Sequence, residues 1–268
     1  MLLNASGVTV DPDDLVPYTY IPERKGSFQL ELLAAGRHYD RIPYVIDPGI
    51  PALSSHIRAG RPVLILQNLG LKSLPIYHYA VVIGIRPPDT IVLHSGMSER
   101  LTMDIDRFLS TWNRAGAWGV IALKPGELPD SPDRIRYLKA VSAFEASGHL
   151  HEAQQSYEAA RVLWPEDQTV LLALGNNYLS QGKYQQAEST FRELVSLYPE
   201  AIAASNNLAE TLARQGCYWE ALMIIEQTQH SLENRASPFE QMVHQTHGEI
   251  LKALDQEPLS PGKTCAAP

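Results

Sequence analysis

The sequence predicts an α+β N-terminal domain followed by an all-α solenoid of helical repeats. Up to residue 124, short apolar runs with the composition of β-strands mix with short helices. Residues 125–131 are rich in proline and form the predicted linker. Beyond this linker every pattern is helical, and glycine, alanine and aromatic positions recur at intervals of 34 residues.

Composition and charge exclude several classes of protein. The chain has 268 residues, 44% of them hydrophobic and 19% charged, which suits two modest globular domains. A net charge of −8 without a Lys/Arg cluster argues against a nucleic-acid partner. The apolar runs are too short for a membrane span. The two cysteines lack metal-ligand spacing, so we expect no metal and no cofactor.

Two helices are predicted in the N-terminal half. Ser27 is placed to cap a helix through residues 28–35, which we expect to end near Gly36 because glycine is common just after a helix. A second short helix is predicted over residues 53–59, and Gly60 should stop it.

Three strands follow these helices, and a fourth closes the domain. Residues 62–67 and 79–85 are nearly continuous apolar runs, as expected for strands covered on both faces. Residues 90–94 form the third strand after a turn that contains two prolines. Residues 118–123 are a further apolar run, which we predict to be an edge strand.

The C-terminal half, residues 132–254, reads as three helical hairpins and a capping helix. In each repeat a glycine permits the turn between two helices, and a proline ends the second helix. Glu233 replaces that proline in the third repeat. A polar tail, residues 255–268, is predicted to be disordered. The recurring positions are Gly148, Gly182 and Gly216, then Ala153, Ala187 and Ala221, then Tyr157, Phe191 and Ile225, and finally Pro165 with Pro199.

This pattern resembles the tetratricopeptide repeat, most fully in the second repeat. The matching residues are Leu171, Leu174, Gly175, Tyr178, Gly182, Ala187, Phe191 and Pro199. The resemblance implies that the repeats bind a peptide or protein along a groove, although ordinary solvated helix residues explain the same side chains equally well. It places Asn176, Asn206, Glu210 and Arg214 in that groove. The lysine and asparagine clamp by which some such domains hold a C-terminal carboxylate is not evident.

The N-terminal half resembles the papain-like cysteine peptidases, most closely those that remove leader peptides from bacteriocins after a double glycine. The resemblance covers about residues 1–124 and implies a papain-like fold with a peptide substrate in its cleft. It rests on three segments, Gly60-Arg61-Pro62-Val63-Leu64-Ile65-Leu66, His78-Tyr79-Ala80-Val81-Val82-Ile83-Gly84 and Val92-Leu93-His94-Ser95-Gly96.

The resemblance assigns His78 the role of the catalytic histidine. A cysteine peptidase needs an imidazole that keeps its sulfur ionised and then protonates the leaving amine. From the local sequence alone, a packed structural histidine explains His78 as well. The family usually orients this imidazole with an aspartate, but His94 and Ser95 stand at that position here, and either is a candidate. Gln67 is a candidate cleft residue, although its place at the end of a buried strand explains it equally.

No cysteine precedes His78, and the resemblance places the missing nucleophile upstream of Met1. Three hypotheses follow: a cysteine peptidase whose start lies further upstream, a pseudo-peptidase that binds peptides without cleaving them, and a repeat-based adaptor. We expect the chain as given to lack thiol peptidase activity. The sequence does not decide the cellular compartment. Residues 1–268 by themselves predict a cytoplasmic protein, whereas a start further upstream would allow export.

Overall fold

The computed structural model describes residues 1–24, 26–232 and 236–256. Its internal contacts divide the chain into two compact units, Met1–Ser156 and Tyr157–Pro268. The sequence places the domain boundary earlier, at residues 125–131, and that boundary stays a prediction. Glu233 and most of the predicted tail, from residue 257 onward, lie outside the described residues. Among the described helices, none is long and apolar enough to cross a membrane.

The first unit is built around a six-stranded sheet with short helices. Its strands are β1 (Ile42–Val45), β2 (Val63–Asn68), β3 (Tyr77–Arg86), β4 (Thr90–Ser95), β5 (Ser98–Asp104) and β6 (Gly119–Leu123). Its helices are α1 (Leu2–Ala5), α2 (Pro12–Thr19), α3 (Gln29–His38), α4 (Ile50–Arg58), α5 (Ile105–Arg114) and α6 (Arg134–Glu145), with a short 3₁₀ helix at Pro22–Arg24. Helix α7 (Leu150–Leu163) contains the division between the two units.

All neighbouring strands of the sheet are antiparallel, in the order β1-β6-β2-β3-β4-β5. The prediction of an edge strand at residues 118–123 was therefore wrong, because β6 pairs with β1 on one side and β2 on the other. A nearly fully apolar strand suits this interior position better than an exposed edge. The true edges are β1 and β5, neither of which the sequence patterns indicated.

Helix α3 corrects a second prediction. It continues through Gly36 to His38, and Phe28 rather than Ser27 precedes its first turn, without a side-chain capping bond. A Cβ atom at Gly36 would lie 2.7 Å from Cγ of Pro43 in β1. The glycine therefore serves close packing of the helix on the sheet rather than termination.

The opposite face of the sheet is covered by α4 and α5. Tyr44 of β1 and His56 of α4 make an edge-to-face ring contact. Gln67 of β2 donates a hydrogen bond from Nε2 to Oγ1 of Thr111 in α5, at 2.7 Å. The sheet is therefore enclosed between helices, and its core lies along β2, β3 and β6.

The second unit is entirely helical over the residues that the structure describes. Its helices are α8 (Gln168–Ser180), α9 (Tyr184–Leu197), α10 (Ile202–Arg214), α11 (Tyr218–Leu232) and α12 (Glu240–Gln256). Each of these helices packs against the next, which gives the second and third predicted hairpins and a final helix at the predicted cap. That residues 132–254 form three repeats stays a prediction. The turn glycines Gly182 and Gly216 have φ values of +70° and +80°, which a residue with a side chain rarely adopts.

Close approach of α8 to α9 depends on another glycine. A Cβ atom at Gly175 would lie 2.5 Å from Cε1 of the fully buried Phe191. Adjacent repeats are further joined by Arg192, which pairs with Glu188 in its own helix and with Glu220 of α11. The core of the second unit therefore forms from the positions that repeat in the sequence.

The predicted linker is firmly attached to the first unit. Arg61 binds the carboxylates of Glu127 and Asp130 at 2.8 and 3.0 Å. The amide N–H of Gly126 donates to Oγ of Ser156 at 2.9 Å. These contacts hold the segment in one place despite its proline-rich composition.

Candidate functional site

His78 is the second residue of β3, and the structure pairs its imidazole with Ser95. The Nε2 atom of His78 lies 2.8 Å from Oγ of Ser95 in β4, and both residues are half-buried. One hydrogen bond joins them in either tautomer of the imidazole, because the hydroxyl both donates and accepts. Of the two candidates for orienting His78, Ser95 is therefore the one that touches it.

His94 lies on the other side of the sheet. In the pairing of β3 with β4, Ala80 lies opposite Ser95 and Val81 lies opposite His94. Side chains alternate between the two faces along a strand, so Ser95 shares the face of Ala80 and of His78. His94 projects to the opposite face and does not reach the His78 imidazole. The catalytic roles of these residues stay predictions.

Gln67 lies directly opposite His78 in the pairing of β2 with β3, on the same face of the sheet. Its side chain is 1% exposed, and its amide donates to Thr111 rather than facing an open cleft. Gln67 therefore attaches α5 to the sheet next to His78. The sequence left its role open, because a glutamine at a strand end fits either a cleft or a packed interior.

The loop between β2 and β3 carries exposed apolar side chains next to His78. The buried Asn68 orders this loop, since its Oδ1 accepts hydrogen bonds from the N–H groups of Gly70 and Ile76, both at 3.0 Å. Sequence reasoning missed this anchor, although an asparagine at a strand end before a glycine is a recognised turn signal. The exposed side chains of the loop are Leu69, Leu71, Leu74 and Ile76, and the exposed Tyr77 follows as the first residue of β3.

The neighbouring Tyr79 faces away from His78. It is half-buried, its ring contacts that of Trp118, and burial, with a smaller effect of Glu31, raises the pKa of its hydroxyl to about 12. Tyr79 is therefore a neutral phenol at physiological pH. Among the described residues no group of three His, Cys, Asp or Glu side chains is arranged to hold a metal ion.

The predicted groove residues of the repeats fall into two kinds of environment. Asn176 of α8 is exposed, and its Oδ1 accepts a hydrogen bond from Nδ2 of Asn207 in α10 at 2.7 Å. Glu210 and Arg214 form an ion pair one turn apart on α10, at 3.2 Å. Asn206 is only 2% exposed, so it lies beneath this surface rather than on it.

Asn207 belongs to this surface although sequence reasoning did not select it. It accepts a hydrogen bond from Asn206 at 3.2 Å and donates to Asn176, which links the first helices of two adjacent repeats. The four residues Asn176, Asn207, Glu210 and Arg214 are called the asparagine face below. The sequence shows two adjacent asparagines on an amphipathic helix. Only the structure shows that Asn206 is buried and that Asn207 reaches the surface.

Residues 172–227 match the model of the tetratricopeptide repeat family. That match confirms the repeats predicted from the 34-residue spacing. No curated protein matches the chain. The match does not extend to the N-terminal sheet, and the papain-like resemblance stays a prediction.

Several solved structures are similar to about half of the chain. The type III secretion translocator chaperone SycD of Yersinia enterocolitica is 21% identical, with 47% of this chain and 98% of that one covered and a TM-score of 0.43. The tetratricopeptide repeat domain of Sgt2 from Aspergillus fumigatus is 17% identical, with 51% and 92% covered and a TM-score of 0.41. The TPR2B domain of yeast Sti1, from a complex with pHsp70, is 14% identical, with 46% and 98% covered and a TM-score of 0.42.

Proposed function

We propose that the protein is an adaptor that binds an extended peptide segment of a partner protein across the asparagine face. The match of residues 172–227 to the tetratricopeptide repeat family carries this proposal. The hydrogen bond between Asn176 and Asn207 supports it, since it fixes two amide groups at the surface where adjacent repeats meet. Surface amides held in one orientation bind a peptide backbone with little loss of side-chain entropy.

The charges on this face favour a peptide backbone over a free carboxylate terminus. Arg214 is the guanidinium of the face, and Glu210 neutralises it. The amides of Asn176 and Asn207 are uncharged donors and acceptors, which match the C=O and N–H groups of an extended chain. We therefore expect a ligand recognised within its chain rather than at its C-terminus.

The experiment is a selection from a peptide display library with the full chain, followed by fluorescence anisotropy on the enriched peptides. We expect the double variant Asn176→Ala/Glu210→Ala to weaken binding by about tenfold or more, the loss of one or two net hydrogen bonds. Gln185→Ala is the matched control, because Gln185 is exposed on the second helix of the same repeat. Enriched peptides that bind all three proteins equally would overturn the proposal.

A second function is proposed for the N-terminal unit, a papain-like cleft that holds a peptide without cleaving it. The observation that favours it is the hydrogen bond between His78 and Ser95, which fixes an imidazole at the end of β3. The apolar loop beside it, held by Asn68, would supply contacts for peptide side chains. Both cysteines of the chain lie beyond residue 216, so we expect no thiol peptidase activity from this site.

An electrophilic peptide probe that ends in a double glycine tests this second function. We expect reversible binding that His78→Gln weakens, no covalent adduct, and no effect of His94→Gln, whose side chain lies on the other face of the sheet. An adduct that depends on His78 would show a peptidase instead. If His78→Gln and His94→Gln bind the probe equally, the proposal of a cleft at His78 is wrong.

A further inference from the structure

A small cavity on the first unit lies far from the asparagine face in sequence and belongs to neither proposed function. It has a volume of about 230 Å³, smaller than the roughly 300–1,000 Å³ typical of pockets for drug-sized ligands. Backbone and small side chains form much of its wall, at residues 5–6 and 59–60. Gly60 has a φ of +75° and open space where a side chain would stand.

Two cationic groups converge beside this cavity. The Nζ atom of Lys124, which lines the cavity, and Nη2 of Arg41 both lie 3.9 Å from the position that a Cβ atom of Gly7 would take. They therefore lie within about 8 Å of each other, the sum of the two 3.9 Å distances, with Lys124 in the cavity wall and Arg41 next to Gly7. Lys124 is exposed, so its ammonium group is free to move toward a ligand.

Neither of these two charges is balanced by a carboxylate in the described part of the chain. The Arg41 guanidinium donates to the backbone oxygens of Ser6 and Asp40 and to the Ser6 hydroxyl, all of them uncharged. Lys124 forms no ion pair among the described residues. The carboxylate nearest in sequence, Glu127, is already bound by Arg61 and by the N–H of Lys124.

The other cation of the cavity wall, Arg61, is neutralised. Arg61 holds both Glu127 and Asp130, so these three side chains together carry a charge of −1. Arg41 and Lys124 add two positive charges, which leaves an excess of one positive charge around a cavity of small volume. A doubly charged ligand would find two unpaired cations, whereas a single carboxylate would leave one of them unused.

We propose that this cavity binds a phosphate group carried by a small molecule. Lys124 supplies a mobile ammonium and Arg41 a guanidinium held in place by Ser6, an arrangement suited to a compact dianion. The open surface at Gly60 provides room for its oxygens. The Ser6 hydroxyl donates to the backbone oxygen of Leu3 and accepts from Arg41, so its part is to fix the guanidinium.

Isothermal titration calorimetry of the full chain with inorganic phosphate at pH 7 and constant ionic strength tests the proposal. We expect saturable binding to one site, a rise of the melting temperature with phosphate concentration, and weaker binding of acetate than of phosphate. Lys124→Gln should weaken phosphate binding by about tenfold or more, and Lys124→Arg should restore most of it.

Lys139→Gln is the matched control, since Lys139 is an exposed lysine of α6 and its loss changes the net charge equally. Each variant's melting temperature without phosphate shows whether it folds. The absence of saturable phosphate binding by the wild-type chain would overturn the proposal. Equal weakening by Lys124→Gln and Lys139→Gln would also overturn it, since it would reveal a general charge effect, and tighter binding of acetate would exclude a dianion.

Discussion

Arg61 and Glu127 lie 2.8 Å apart, and this ion pair attaches residues 125–131 to the sheet. Both side chains are partly buried, and Asp130 adds a second carboxylate at 3.0 Å. We expect Arg61→Gln to lower the free energy of unfolding by about 1–3 kcal/mol, because it leaves the two carboxylates without their shared cation. Urea denaturation measures this, and limited proteolysis should cut residues 125–131 faster.

Arg58→Gln is the control for that variant. Arg58 is exposed near the end of α4, and its guanidinium donates to the backbone oxygen of Ser54 at 3.3 Å. Its replacement should change stability by less than about 0.5 kcal/mol. If both variants denature at the same urea concentration, the Arg61 cluster does not stabilise the first unit.

Gly175→Ala should destabilise the second unit, whereas the same change at Gly248 should stabilise it. The added methyl group would lie 2.5 Å from the ring of Phe191 at the first position and would meet nothing within 4 Å at the second. We expect a loss of about 1–3 kcal/mol for Gly175→Ala from overpacking. Gly248→Ala in the exposed face of α12 should gain about 0.5–1 kcal/mol from helix propensity.

Thermal and urea unfolding of the two glycine variants measure both effects. Since the chemical change is identical, the difference in sign isolates the contact with Phe191. A Gly175→Ala variant as stable as the wild type would show that α8 and α9 separate without loss, contrary to close packing in the repeat core.

Buried His56 should make the first unit less stable at acid pH. Its side chain is 4% exposed, and its Nδ1 has no hydrogen-bond partner among the residues that the structure describes. Burial lowers the pKa of His56, and the charge of Arg61 lowers it further, whereas Asp130 and Asp47 act in the opposite direction. The unfolded chain therefore binds a proton that the folded protein excludes.

This difference in proton binding determines how the unfolding free energy changes with pH. The stability that neutral His56 contributes is fully present above its unfolded pKa of about 6.5 and is lost as the pH falls through its lowered folded pKa. We expect His56→Phe to flatten the pH dependence of the unfolding free energy between pH 7 and pH 5. His151→Gln, which replaces an exposed histidine, should leave that dependence unchanged. Parallel curves for the wild type and His56→Phe would contradict the assignment.

Ser95→Ala should change the magnetic environment of the His78 ring, and His94→Gln should not. The 2.8 Å bond joins His78 to Ser95, whereas His94 projects from the other face of β4. Long-range proton–nitrogen NMR correlation spectra of the imidazoles resolve both ring nitrogens. A shift of the His78 resonances in His94→Gln but not in Ser95→Ala would reverse our placement of the two residues.

Local patterns predicted the repeats well because each repeat forms from contacts between residues near in sequence. Gly175, Phe191 and the turn glycines all occupy the expected positions. The order of the strands in the sheet was harder to predict, because it depends on pairings between distant segments. No local pattern places β6 between β1 and β2. Strand β5 was missed because most of its side chains are exposed, which removes the apolar alternation that marks a strand.

Helix α5 was also not predicted, although its sequence contains the pattern of an amphipathic helix. Asp104 caps its first turn, and Phe108, Thr111 and Trp112 recur at helical spacing on its buried face. The candidate site was predicted in part. His78 was found from its strand, but choosing between His94 and Ser95 required the pairing of β3 with β4.

That pairing has a consequence for any attempt to alter the site. His94 and Ser95 are neighbours in the chain, yet the alignment of two strands decides which of them meets His78. A slip of β4 by one residue would turn Ser95 to the far face and bring His94 against the imidazole. The partner of His78 is thus selected by the register of β4 against β3, which shifts by one residue between Val82 and Gly84 after the turn at residues 87–89.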